Sequence, residues 1–534
     1  MRFNTSGRTS LRRRRLLQAG VTGVALPAAI FSPDARAHGD HSDPHELVRS
    51  ADTVTVVGPW ELTGLDPSRA GYMFTRMEVT ETLLDVDDAG TLLPALATAW
   101  SVSADQLQWR FSLRSNSLYH DGTPVTPRSV LNALTRALAR PGVLKLADIR
   151  AMQIEGRELV VTLGRRFAPL PYLFTHSGTQ ILAPSSFDAQ GNVTGIVGSG
   201  RYRIGSIALP QQFDVERFDE YAGGRLPLPQ IKKARYLSVS RAETRTLLVQ
   251  SGQADLAFSL DPPSIRRLQN SRTTQLVSAM LPRTTYIKLN AGHPFLKDAR
   301  VRLAISLSVE RKGIATALLR DADLGATQLF PPAMQQWHQT TLAPLRTDLA
   351  AARALLRQAG WIPGADGIAR RDGQRFELRL LTFVDRPELP LIAAALQEEM
   401  RQIGIAVRVV IGNSSDIPAG HRSGALEMGL TARNFGNLPE PVATLLQDFG
   451  PQGADWGAMN WSDPQVVAAL NRLADSAGQP QQDRALVAAT LQRELPVIPV
   501  VWYRQTVAVS QRLRGAGIDP FERSYRISQL EWAR

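Results

Sequence analysis

From Thr53 onward, short β-branched runs alternate with amphipathic helical segments, with no repeat and no low-complexity stretch. That alternation limits the chain to a mixed α/β architecture. Thr53–Gly58 reads as a strand, and Gln108–Leu113 and Glu158–Leu163 have the period-two pattern of half-buried strands. Pro127–Ala139 reads as a helix, with Thr126 as its cap and Pro127 at the first helical position. Further on, residues 242–252, 298–319, 348–359 and 388–403 read as helical, and residues 254–258, 376–383 and 405–411 as strands. Two apolar extended stretches, residues 286–290 and 497–503, lie where one block of elements gives way to the next. They are candidate paired crossings between two lobes, since a hinge needs few residues.

The chain has 534 residues and no cysteine, which excludes disulfides, a thiolate nucleophile and Cys-based zinc sites. Its net charge of +12 is concentrated at the amino terminus, where residues 1–37 hold seven Arg against Asp34. The remainder carries 54 basic and 48 acidic residues, a mildly basic surface with no Lys/Arg stripe interleaved with aromatics. Nucleic acid is therefore not an expected partner.

Arg12 to Arg15 precede Leu16-Leu17, a weakly apolar run to Phe31, and Ala35-Arg36-Ala37. Basic head, apolar middle and small-x-small site are the order of an export signal, and cleavage after Ala37 is expected. The consecutive arginines resemble the twin-arginine signal, with a general secretory signal as the alternative. The apolar run is too short for a transmembrane anchor, and no cysteine follows the site to carry a lipid. A soluble, exported protein of the periplasm is expected. Residues 38–50 then carry His38, His41 and His45, readable as a loose metal site or as a polar flexible leader.

No phosphate loop, H-E-x-x-H, G-x-S-x-G or opening G-x-G-x-x-G occurs. Gly198-Ser199-Gly200 lacks the following Lys and helix of a phosphate loop, and reads as a turn leading into a strand. Asp87-Asp88 beside Gly90 reads as a solvated turn. A binder, not an enzyme, is expected, and no cofactor is implied.

Four ordered blocks carry a resemblance. The first runs Leu93 to Trp100 (LPALATAW), Trp109 to Arg114 and His120-Asp-Gly-Thr-Pro124; the second Thr244-Arg245 through Gln250 to Asp255. The third includes Asn290, Pro294-Phe295, Arg300-Val-Arg302 and Glu310-Arg311, and the fourth Ala350 to Trp361 (AAARALLRQAGW). Over residues 53 to 530 the chain resembles the extracytoplasmic solute-binding proteins of ABC importers, in the peptide- and nickel-binding family. The resemblance implies an α/β two-lobed periplasmic-binding-protein fold of the large cluster C type, with mixed sheets and a hinge. Residues 51–285 and 503–534 would form lobe I and residues 286–502 lobe II. It also implies a monomer that binds a small ligand and delivers it to an inner-membrane ABC permease.

The ligand loop is 428–441 (MGLTARNFGNLPEP), where peptide binders of the family carry an acid for the peptide's amino group. Here its centre offers Arg433, Asn434 and Asn437, which suits carboxylates better than an amine. The loop resembles that of nickel- and metallophore-binding members, as do Tyr72, Met73 and the placement of Arg140. Ala432 stands where the nickel–histidine binder has a coordinating His, so a metal would arrive already chelated. Tyr72, Met73, Trp100, Arg140, Arg433, Asn434 and Asn437 are thus the candidate ligand residues. Some also have plainly structural readings: Arg433 as partner of a nearby acid, Arg140 at a helix end, Trp100 and Met73 in cores. A nickel or other metal chelate is the leading ligand and a short peptide the alternative. A haem-trafficking or chaperone-like binder and an exported hydrolase, for which no nucleophile and base are evident, are more remote.

Overall fold

The computed structural model describes residues 52–67, 71–223, 227–384, 386–476 and 479–533. The export signal and the leader with His38, His41 and His45 lie outside the described residues. Thr53–Gly58 forms a strand with Val54, Val56 and Val57 buried. Lys233–Ser238 runs parallel to it from Thr53↔Lys233 to Gly58↔Ser238, and Leu256–Ala257 runs parallel on its other side. Parallel neighbours need long crossovers, supplied here by the segments between them.

These strands belong to a ten-stranded mixed sheet whose spine is a pair of long antiparallel strands, Thr274–Leu289 and Val497–Ser510. The expected crossings over residues 286–290 and 497–503 are the ends of much longer strands. Polar residues hid the rest: Ser278 and Thr506 face each other inside the ladder, their hydroxyls 2.8 Å apart. Pro282 sits where the register shifts between Leu281 and Thr284, a bulge where its missing N–H costs no ladder bond. A second shift follows between Thr285 and Tyr286. Before this break, the Val497–Ser510 strand adjoins Leu256–Ala257 and, beyond it, Thr53–Gly58. After it, residues 283–289 pair with Met428–Asn434, which adjoins Glu377–Phe383 and its parallel neighbour Ala406–Gly412.

Each half has its own core. Val56, Met73, Phe74, Phe213, Tyr236 and Val509 pack in the first; Ile287, Val301, Ile305, Leu380 and Leu396 pack in the second, where Trp361 stacks on Phe376 at 4.0 Å. A third core lies under a four-stranded antiparallel sheet, Ala97–Val102, Gln108–Leu113, Glu158–Leu163 and Ile149–Glu155. The helix Pro127–Ala139 packs on it through Val130 and Leu134, and Thr126 caps that helix by accepting from the Ser129 amide at 3.1 Å. This core continues into the helices Val442–Phe449, Pro464–Ala474 and Pro480–Glu494, and the Ala168 amide donates to the Ala474 carbonyl at 2.6 Å.

The Gly198-Ser199-Gly200 turn leads into the strand Tyr202–Ala208, as its sequence implies. A Cβ on Gly198 would run into the Val79 carbonyl. Gly198→Ala is therefore expected to cost about 1–3 kcal/mol in urea denaturation, because backbone cannot move aside as a side chain can. Asp87 accepts from the amides of Ala89 and Thr91 at 3.0 and 2.8 Å, the turn the sequence indicated. Among the described residues, no helix is long and apolar enough to cross a membrane.

Candidate functional site

The carboxyl ends of parallel strands from both halves open onto one cleft of about 1410 Å³. Pro59 and Trp60 follow Thr53–Gly58, Ser240 follows Lys233–Ser238, and Ser259 follows Leu256–Ala257. From the other half, Val384 and Arg386 follow Glu377–Phe383. The register break of the long strands contributes Arg283, Thr285, Trp502 and Tyr503. Strand carboxyl ends are where open α/β sheets hold ligands, because loops of free design converge there. A smaller cavity of about 1010 Å³ lies in the first half. Its central carboxylate, Glu81, is engaged by Arg114 at 2.9 Å, Ser199 at 2.8 Å and Tyr221 at 3.0 Å.

Glu522 lines the cleft among several cations. Its loop is tied down: Asp519 accepts from the amides of Phe521, Arg523 and Ser524 at 2.9, 3.0 and 3.1 Å. The Glu522 carbonyl accepts from Arg76 Nε at 2.8 Å, and the Tyr525 amide donates to the Arg76 carbonyl at 2.8 Å. Its carboxylate is ion-paired with Arg283, lies 3.8 Å from Arg76 and accepts from Asn434 Nδ2 at 3.2 Å. Burial alone would push the Glu522 carboxyl up; Arg283, Arg76 and Arg386 outweigh it and hold it below the usual range.

The cations are packed against aromatic faces. Arg76 lies 4.3 Å from the Trp60 ring and 5.0 Å from Tyr72, while Arg283 and Arg386 stand over Tyr503 at 4.8 and 5.2 Å. Burial pushes the Arg283 guanidinium down, and the neighbouring Arg386 charge adds to that. Arg283 Nε is buried with no hydrogen-bond partner among the described residues. Glu388, 4.0 Å from Arg386, is the nearest second acid. Among the described residues, seven arginines and five carboxylates line the cleft, leaving an excess of two positive charges. Such a surface is complementary to an anion bearing several acceptor oxygens.

A second charged cluster is enclosed by the loop after Val442–Phe449. Asp448, with its side chain at 0% exposure, receives a two-pronged contact from Arg433, at 2.7 and 2.9 Å. Lys288, fully buried on the long strand, donates to the carbonyls of Ala454 at 2.8 Å and Gly457 at 2.5 Å, and the Tyr286 hydroxyl donates to the Trp456 carbonyl. Trp456 stands edge-on to Phe383, a cleft residue, with ring centres 6.5 Å apart. Burial pushes the Lys288 ammonium down to about 7, with Arg433 adding to it and Asp448 and Asp455 opposing. Between that value and the unfolded value of 10.5, the unfolded chain holds a proton that the folded protein has released. Stability contributed by this group therefore rises with pH across that window. Urea denaturation from about pH 7 to about pH 9 is expected to show the rise in the wild type and not in Lys288→Met, by up to about 1.4 kcal/mol per pH unit. Parallel pH profiles would contradict it.

The structure brings Tyr72 and Asn434 to the Glu522 centre. It removes Met73 from the candidate set: the side chain is fully buried among Val56, Phe74 and Phe213, where it fills a core. Arg140, expected to meet a ligand, pairs with Asp66 at 3.0 Å with its side chain 42% exposed. Arg433 gives Nε and Nη2 to Asp448, the structural role its residue type also allows. Asn437 is exposed, and Trp100 lies half-buried opposite Phe111 on the four-stranded sheet. The residues missed from sequence are Arg76, Arg283, Arg386, Tyr503 and Glu522. An Arg directly after Pro282, inside a mostly apolar and hydroxyl-bearing strand, was the available signal for Arg283.

Residues 91–456 match bacterial extracellular solute-binding proteins, family 5 Middle. The chain belongs to this family. Over 426 residues it is 26% identical to the nickel-binding periplasmic protein of Escherichia coli (strain K12), covering 76% of this chain and 80% of that one. It is 23% identical over 499 residues to the glutathione-binding protein GsiB of Salmonella paratyphi A, covering 88% and 92%. Its fold matches that of NikA from Brucella suis in complex with Fe(III)-EDTA, with a TM-score of 0.82, 22% identity and coverage of 90% and 100%. This family 5 protein is therefore a two-lobed solute-binding protein of an ABC importer, a transport component and not an enzyme. Proteins of family 5 bind small ligands or peptides and deliver them to ABC permeases.

Proposed function

We propose that this family 5 protein is an exported periplasmic receptor whose cargo is a transition-metal chelate, nickel being the leading metal, held chemically unchanged between the lobes. The observation that carries the reading is the charge centre at the cleft, where Arg76, Arg283 and Arg386 surround Glu522 and Arg283 Nε has no partner. A buried guanidinium N–H without an acceptor is costly, and a chelator rich in carboxylates brings acceptors to a cluster of guanidinium donors. Among the described residues, no group of three or more His, Cys, Asp or Glu could hold a metal ion, so the chelator supplies the metal's ligands in this reading. The nickel-binding relative and the Fe(III)-EDTA complex of the fold neighbour lend it support.

In the same reading the twin-arginine signal is removed after Ala37, the receptor is a soluble monomer without a lipid anchor, and the lobes are residues 51–285 with 503–534, and 286–502. Of the residues expected from sequence to meet the ligand, Tyr72 and Asn434 then act beside Glu522. A short peptide is the second reading. It is favoured by the cleft volume of about 1410 Å³, above the roughly 300–1,000 Å³ of ordinary small-molecule pockets. Glutathione, which the GsiB relative binds, is a tripeptide with two free carboxylates.

Native mass spectrometry of the mature protein recovered from its host's periplasm tests both. A bound mass with a transition-metal isotope pattern, absent in the Arg283→Ala/Arg386→Ala double variant, is expected. A ladder of di- to pentapeptide masses without metal would sink the chelate and promote the peptide.

A further inference from the structure

The most enclosed acid of the cleft sits among its cations. The Glu522 side chain is 10% exposed, held by Arg283 and Asn434 with Arg76 at 3.8 Å, on a loop pinned by Asp519 and by Arg76. It cannot swing away without breaking those contacts. Arg386, which follows the strand Glu377–Phe383, has the most exposed side chain of the three, at 29%. The solvent-facing capacity is thus chiefly that of Arg386, while Arg283 keeps a buried, unpartnered Nε.

We propose that Glu522 sets the net charge of the cargo: it is a built-in counter-anion, so the cleft accepts ligands one negative charge poorer than its arginines alone would select. The proposal rests on the reading of the cleft as a chelate site and adds which chelates it prefers. In a site of low effective dielectric, two like charges a few ångströms apart repel strongly. A ligand carboxylate directed at Glu522 is therefore rejected, whereas one directed at Arg386 is drawn in. Selectivity comes from the repulsive element as much as from the attractive one.

Two chelates of nearly the same shape isolate charge. EDTA is tetra-anionic, so its cobalt(III) complex is a monoanion and its nickel(II) complex a dianion. Isothermal titration calorimetry with each complex gives the preference of dianion over monoanion. Glu522→Gln, which keeps the shape and one acceptor oxygen of the side chain while removing its charge, is expected to raise that preference by about tenfold or more. Arg386→Gln, which removes one positive charge from a more open position, is expected to lower it. Chelates that bind with a preference unchanged in both variants would overturn the proposal while leaving the chelate reading intact. Should circular dichroism find Glu522→Gln unfolded, an unchanged preference in Arg386→Gln alone overturns it. Failure of the wild type to bind either complex would overturn the chelate reading and the proposal with it.

Discussion

Asp448→Ala is expected to destabilise the protein by about 3–5 kcal/mol, because it strands the Arg433 guanidinium in a buried site with nothing to pair with. Asp448 is fully enclosed and spends both carboxylate oxygens on Arg433. Asp448 also opposes the loss of the Lys288 proton, so its removal takes a counter-charge from Lys288 as well as from Arg433. Burial pushes the Asp448 carboxyl up and Arg433 and Lys288 oppose that, which is the balance the substitution removes. Replacing the pair by apolar residues of similar volume is expected to cost far less, since no charge is then left behind. Chemical denaturation of Asp448→Ala beside Arg433→Met/Asp448→Leu checks both parts. A single variant no less stable than the double would show that the pair, and not the unpaired charge, governs stability here.

The second large effect is on binding. Arg386→Ala is expected to weaken nickel(II)–EDTA binding by about a hundredfold, within the range for truncating one member of a desolvated charge contact, while the fold persists. The side chain packs over Tyr503 at 5.2 Å and is partly open, so little core is lost with it. Titration calorimetry alongside thermal melts separates the outcomes. A melting temperature near that of the wild type with weakened binding assigns Arg386 to the ligand. Unchanged affinity would place the cargo elsewhere in the cleft.

Local pattern was a good guide wherever one face of an element is buried. Pro127–Ala139, Gln108–Leu113 and Glu158–Leu163 appear with the limits their periodicity and caps imply. It was a poor guide along the long strands, because Ser278, Thr506 and Pro282 interrupt the alternation while the ladder runs on through them. The ligand loop was located in sequence, but not its partners. Asn434 acquires its place from Glu522, 88 residues further on, and Arg433 from Asp448 in the helix Val442–Phe449. Met73, equally compatible with core and cleft by type, went to the core because its helix Tyr72–Arg76 turns that face inward.

The sequence by itself determined the α/β class, the absence of cysteine chemistry and the four ordered blocks of the family, since each depends on residue types at short, regular spacings. Only the tertiary structure decided what faces the cleft. Arg76 and Glu522 are 446 residues apart in the chain and 2.8 Å apart through the Nε–carbonyl bond. Whether a guanidinium is paired, orphaned or free for a ligand is set by the charges within a few ångströms and by the water removed around them. Neither quantity is written in the order of residues along the chain.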